Sequence, residues 1–244
     1  MSDQPSTGDP KPPTRVPLTR ERVLETALRL VDAEGLDALS RRRLGQELGR
    51  DAMTLYRYAP DRAALLDGIV ELVLDELVLP EDGLDWQTQL RRGAHSFRRL
   101  ALAHPHVVGL IVTRPIATPL GQRPLGTLRP LERLLDMLTA SGFSDPDALS
   151  VYRMYNGLLY GHVLNELEEL VVDPDETDDL LRLGLQRLPR REFPKLRSLA
   201  TALADYDGGA GLDLSLDVFF AGLDRYFPSS APGRTTPDDP VRGQ

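Results

Sequence analysis

No cysteine occurs in the 244 residues, which excludes disulfides, thiolate catalysis and Cys-ligated zinc or iron–sulfur centres together. Lysine is nearly missing too: of the 29 basic residues only Lys11 and Lys195 are lysines, so positive charge is carried by arginine, whose planar fork suits phosphate. Apolar runs never approach the roughly 20 residues that a membrane-spanning helix needs. The opening stretch MSDQPSTGDPKPPTRVP is polar and proline-rich and has no signal core, so the expectation is a cytoplasmic protein without a membrane partner. A basic excess is lacking as well. The net charge of −8 rules out a general coat for nucleic acid, and any surface that binds DNA must be local. Catalytic signatures are missing: no GxSxG, phosphate-cradling glycine loop or HExxH is found. The histidines are His95, His104, His106 and His162, and His104-Pro105-His106 resembles a helix entry more than a zinc site. The acidic run from Glu166 to Asp179 reads as a solvated loop and helix start. Neither an enzyme, a metal site nor a cofactor is expected.

What is present is helical periodicity. Residues 1–17 read as a disordered arm and 229–244 as a disordered tail. Val23, Leu24, Ala27, Leu28, Leu30 and Val31 recur at spacings of three and four; Thr19 caps the start and Gly35 ends the run. Short helices follow at 41–48 and 52–58, joined at Gly49, and a longer one runs from Asp61 to Leu79 before Pro80. Further helices are expected at 85–103, 105–112, 124–141, 146–170, 176–187, 194–205 and 213–226, with Pro130 shifting the start of its helix or kinking it. The fold class is therefore all-α. It divides into a three-helix head at 18–66 and a larger helical domain at 67–228.

The segment LSRRRLGQELGRDAMTLYRYAPDRAALL, residues 39–66, is the most informative. Arg41, Arg42 and Arg43 open a helix, where cations oppose the helix dipole by roughly 0.3–1 kcal/mol each. An anionic ligand makes sense of that arrangement. With Arg50, Arg57 and Arg62 they outnumber Glu47, Asp51 and Asp61, against the balance of the whole chain. In a helix-turn-helix the second helix enters the major groove while the first crosses the backbone. That geometry sends Arg41 and Arg42 to phosphates and Ala52, Met53 and Thr54 to base edges. Tyr56 donates to a phosphate, and Arg62 adds charge at the next helix start.

The stretch from Thr19 to Leu66 resembles the N-terminal domain of TetR-type transcriptional repressors. Gly35-Leu36, Leu44…Leu48-Gly49 and Thr54-Leu55-Tyr56 carry the likeness, and Tyr56-Arg57-Tyr58 stands where the family's aromatic pair falls. The resemblance implies that Arg42, Thr54, Tyr56, Tyr58 and Arg62 contact double-stranded operator DNA and that Ala52 and Met53 read bases. It also implies a homodimer with a small-molecule effector in the C-terminal domain. A weaker likeness to the tetracycline-repressor ligand domain rests on Trp86-Gln87, Ser96-Phe97-Arg98-Arg99, Thr113-Arg114-Pro115 and Gly161…Val163-Leu164. The His, Glu and Asn of the drug-binding members fall on Leu110, Asn165 and Gly93, while Phe97 is kept. The scaffold is thus expected without the magnesium–tetracycline chemistry.

The expected pocket comprises His95, Phe97, Leu110, Arg114, Tyr152, Tyr155, Asn156 and Tyr160, although tyrosines on one helical stripe also suit a core or an interface. The 146–170 and 213–226 helices are the dimer candidates, by analogy with four-helix bundles. The leading function is a ligand-responsive repressor released from a near-palindromic operator. A helical small-molecule-binding protein, or a regulator controlled by a protein partner, stays open at this stage.

Overall fold

The first four helix starts in this chain are set by short polar side chains that accept from otherwise unpaired backbone N–H groups. The computed structural model describes residues 17–78, 83–117, 119–171, 184–205 and 207–227, with side chains except at 114–117, 169–171 and 204. Helix α1 spans Arg20–Glu34, with Thr19 Oγ1 accepting from Arg22 N at 3.2 Å. Helix α2 spans Arg41–Leu48 behind Ser40, and α4 spans Arg62–Asp75 behind Asp61. Between them α3 is a single turn, Ala52–Leu55, capped by Asp51. It is shorter than the 52–58 expected because Tyr56 N and Tyr58 N take three-residue bonds to Met53 O and Leu55 O ahead of Pro60, whose ring disfavours a helical residue before it.

The body contains α5 (Trp86–Ala103), α6 (Pro105–Ala117), α7 (Leu125–Ala140) and α8 (Asp145–Val171). Three more follow: α9 (Pro194–Ser198), α10 (Ala200–Ala204) and α11 (Gly208–Tyr226). Among the described residues there is no strand. Several boundaries differ from expectation. Helix α4 stops at Asp75, where Glu76 N and Leu77 N take three-residue bonds to Val73 O and Leu74 O, and Leu79 lies outside the described residues. Helix α6 runs five residues past 112, α11 begins at Gly208 because Asp207 caps it, and the 194–205 stretch is two short helices. Pro130 sits inside α7, which nevertheless begins at Leu125. Of the 176–187 expectation only 184–187 is described, and it is helical. The arm at 1–16 and the tail at 229–244 lie outside the described residues.

One core runs through head and body. Val23, Ala27 and Val31 of α1 are fully buried, with Leu44, Leu55, Leu65 and Ile69 supplied by the next three helices. Each of the Val, Leu and Ile side chains adds about 1.5–3 kcal/mol when removed from water, which is what holds helices as short as α3 in place. In the body Trp86 meets Phe143 and Phe220 edge-on at 5.2 and 5.7 Å, joining α5, α11 and the turn before α8. Helix α4 packs on α1 at one side and on α7 at the other, so the 66/67 division falls within a continuous helix.

Candidate DNA-binding face and effector cavity

The turn between α2 and α3 is held by two glycines. Gly49 adopts φ 60°, the left-handed conformation that a side chain resists, and Arg50 N closes onto Gly45 O at 2.9 Å. Gly45 is buried, and a Cβ there would approach Arg50 O to 2.8 Å. Periodicity registered Gly45 only as a residue of a short helix; its close contact was not visible in sequence.

On the outer face Met53 is 73% exposed, and Thr54 and Tyr56 are also exposed, while Ala52 is half-buried. Arg42 is exposed, and among the described residues its side chain has no hydrogen-bond or ion-pair partner given by the structure. Its neighbours differ. Arg41 lies over the Tyr56 ring, 4.0 Å from the centroid, and donates to Tyr56 Oη at 2.9 Å and to Pro60 O at 2.7 Å. Arg43 pairs with Glu34 at 2.6 Å and Glu47 at 2.9 Å, and its hydrogen bond holds the Glu34 carboxyl below the ordinary range. The cationic helix start is thus partly answered by the chain's own carboxylates.

Besides Arg41, which was expected at phosphate and donates to Tyr56 Oη and Pro60 O instead, two expected DNA contacts are occupied otherwise. Arg62 donates to Leu39 O and, at 2.9 Å, to Leu36 O, bracing the connection between α1 and α2. Tyr58 is half-buried and donates to Leu18 O at 2.7 Å, away from the α3 face. Sequence marks residues capable of reaching DNA, but here nearer carbonyls take those donors.

Beneath the head lies a cavity of about 240 Å³, somewhat smaller than ligand pockets at roughly 300–1,000 Å³. Its walls come from α4 (Asp67, Val70, Leu74), α5 (Leu90, Gly93, Phe97), α6 (Ile111, Val112), the turn into α7 (Arg123, Pro124), α7 itself (Thr127, Leu131) and α8. Of the expected set, Phe97, Tyr152, Tyr155, Asn156 and Tyr160 line it. The α8 members share one face through their spacing of three and four residues. His95 does not line the cavity: two residues from Phe97, it is turned by about 200° around the helix and lies 2.9 Å from Asp213 of α11. Leu110 packs against the core beside the lining residues Ile111 and Val112. The side chain of Arg114 lies outside the described residues. Arg123 and Asp67 were not foreseen, because the walls of α4 and α7 meet α8 only in three dimensions.

Tyr155 is 3% exposed and donates to Leu90 O at 2.6 Å; Gly93 leaves room for that hydroxyl, since a Cβ would lie 3.2 Å from it. Burial raises the Tyr155 phenol and pushes Tyr160 up to about 12, with the Arg123 charge opposing the rise at Tyr160. Burial also raises Tyr152, against a hydrogen bond from Asn156. The phenols are therefore neutral near pH 7 and able to donate.

Other ionisable groups join helices. Glu166, expected in a solvated run, is 4% exposed and accepts from Arg98 at 2.5–3.1 Å. His104 lies 2.9 Å from Asp32, linking the α5–α6 corner to α1 across a separation that no local motif reveals. Among the described residues no three His, Asp or Glu side chains converge as a metal site would require.

The family model described as tetracyclin repressor-like, C-terminal domain, matches residues 79–226. The chain belongs to the tetracycline-repressor family. It is 34% identical over 166 residues to the HTH-type transcriptional repressor DrrR1 of Streptomyces coeruleorubidus, covering 67% of this chain and 57% of that one. Against the tetracycline repressor protein class D of Escherichia coli it is 31% identical over 196 residues, 79% of this chain and 82% of the relative. The crystal structure of the TetR-family protein ActR of Streptomyces coelicolor with actinorhodin superposes with a TM-score of 0.68 at 32% identity, over 86% of this chain and 99% of ActR. Within the tetracycline-repressor family, a helix-turn-helix head on a helical ligand-binding domain makes the chain a DNA-binding, ligand-responsive transcriptional regulator. Among the described residues no helix is long and apolar enough to cross a membrane.

Proposed function

We propose that this regulator is a cytoplasmic repressor, working as a homodimer and released from a near-palindromic operator when a small molecule fills the cavity. One observation carries the reading: α4 lines that cavity with Asp67, Val70 and Leu74 and braces the head with Arg62 at its first residue. A ligand that favours one placement of α4 thereby biases the placement of the head, and a tenfold loss of operator affinity needs only about 1.4 kcal/mol of coupling. Arg42 and Tyr56 meet phosphates, while Met53 and Thr54 face base edges. Met53 supplies apolar contact of the kind that thymine methyl groups accept.

The effector is largely apolar and aromatic, with a polar group that meets Tyr152, Asn156 and Arg123. The partner copy packs along α8 and α11. On α11 Leu212, Leu216, Phe220 and Leu223 are buried, yet Leu214 and Val218 remain 66% and 68% exposed. On α8 Met154 is also exposed. Two such helices from each copy form a four-helix interface. Selection of bound sequences from random duplex DNA, followed by a compound screen for release of the selected duplex, tests the proposal. Enrichment of a two-fold-symmetric site and its release by an aromatic compound are expected. Failure to retain any duplex refutes the repressor reading.

A further inference from the structure

Helix α4 carries a carboxylate that touches both the cavity wall and the head. Glu71 Oε1 accepts from the Gly126 backbone N–H at 3.2 Å, and Glu71 Oε2 pairs with Arg20 Nη2 at 3.2 Å. Gly126 lies at the start of α7, within the 123–127 stretch that gives Arg123, Pro124 and Thr127 to the cavity. Arg20 is the first residue of α1. The contact with α7 depends on glycine: Gly126 is buried, and a Cβ there would lie 2.8 Å from Glu71 Oε1 and 3.0 Å from its Cγ. The contact with α1 depends on another, because a Cβ at Gly68 would come within 2.6 Å of Leu24 and 3.3 Å of Arg20 Nη2.

We propose that Glu71 is a positioning residue for the response, a relay through which displacement of the 123–127 wall is transmitted to the first turn of α1. This rests on the reading of the cavity as the effector site. The Glu71 side chain is 22% exposed, so water competes only partly for its two oxygens. When the wall moves, the carboxylate follows Gly126 and loosens its hold on Arg20. Each state of the wall thereby favours a different seating of α1. Because coupling is reciprocal, fixing the head on DNA must also change the wall. The Arg20 end is 56% exposed, and an ion pair of that kind supports a shift of no more than about fivefold.

The reciprocal form gives a test that needs no effector. Hydrogen exchange at the Gly126 amide is followed in the full chain, free and saturated with a duplex selected from random sequence. Operator binding should slow that exchange by about two- to fivefold in the wild type. Arg20→Leu, which touches neither Gly126 nor the cavity, should abolish the slowing at saturating duplex. Arg20→Lys should restore part of it. Glu71→Gln keeps an acceptor for Gly126 and loses the charge facing Arg20, so it should behave as Arg20→Leu does. An equal slowing in Arg20→Leu, in protein that melts like the wild type, overturns the relay. So does an unchanged Gly126 amide in wild-type protein that has bound the duplex. A wild-type chain that retains no duplex refutes the repressor reading, and the relay with it.

Discussion

Replacing Gly45 by alanine is the sharpest challenge to the head as described. The new Cβ would stand 2.8 Å from Arg50 O and 3.5 Å from Ala52 N, both backbone atoms that no rotamer change can move. Ordinary contact begins near 3.4 Å, so α2 and the turn leading into α3 must part by about 0.6 Å at the Arg50 contact. Overpacking of this sort costs about 1–3 kcal/mol. Alanine recovers about 0.5–1 kcal/mol in a helix interior, which leaves a net loss of up to about 2.5 kcal/mol. The displaced element is α3, so operator affinity should fall with stability. Gly109→Ala is the control, because that glycine is exposed on α6 and nothing lies within 4 Å of its added Cβ. It should be neutral or stabilising by up to about 1 kcal/mol. Urea denaturation followed by circular dichroism gives the stabilities, and fluorescence anisotropy with a selected duplex gives the affinities. Undiminished stability and affinity in Gly45→Ala would refute the close-packed turn, as would an equal loss in Gly109→Ala.

Three further substitutions separate roles that look alike in sequence. Arg42→Ala should weaken duplex binding for all sequences and reduce the salt slope by about 1, whereas Arg62→Ala should chiefly lower the melting temperature by freeing Leu36 O and Leu39 O; binding isotherms at several salt concentrations and thermal melts distinguish them. Tyr155→Phe removes the phenol donor from the carbonyl of buried Leu90, which keeps its partner within α5, and should cost roughly 0.5–1.5 kcal/mol in denaturant titration, with wild-type stability as the contrary result. The Asp213 carboxyl is held below its usual range by His95 and then by Arg91, so its stabilisation is present above about pH 4 and fades as pH falls through the lower folded value. The stability difference between wild type and Asp213→Asn at pH 6 should therefore vanish in strong acid, and a difference that grows on acidification would contradict the pairing.

The head was legible because its signals are local. Thr19, Ser40, Asp51 and Asp61 cap the helices they were expected to cap, and the apolar spacing from Val23 to Val31 identifies the buried face of α1. Local signals do not reveal where a donor ends up. Arg62 and Tyr58 have the chemistry for phosphate, but Leu36 O, Leu39 O and Leu18 O are nearer. The stripe from Tyr152 to Tyr160 was readable from helical spacing, whereas His95 violated it, standing two residues from Phe97 on the opposite side of α5. Asp67 and Arg123 reach the cavity through packing between distant segments, and Gly45 matters through one interatomic approach. Neither leaves a periodic trace.

The continuity of α4 also bears on how this protein can be re-engineered. A chimera that joins the head of one regulator to the sensor of another at residue 66 would cut between the turn bearing Arg62 and the turns bearing Asp67, Val70 and Glu71. Such a graft pairs a foreign brace with a native cavity wall inside a single rod. An exchangeable module must instead take the whole of Arg62–Asp75 with one side and refit its other surface. Changes of operator and changes of effector are therefore not independent edits in this chain.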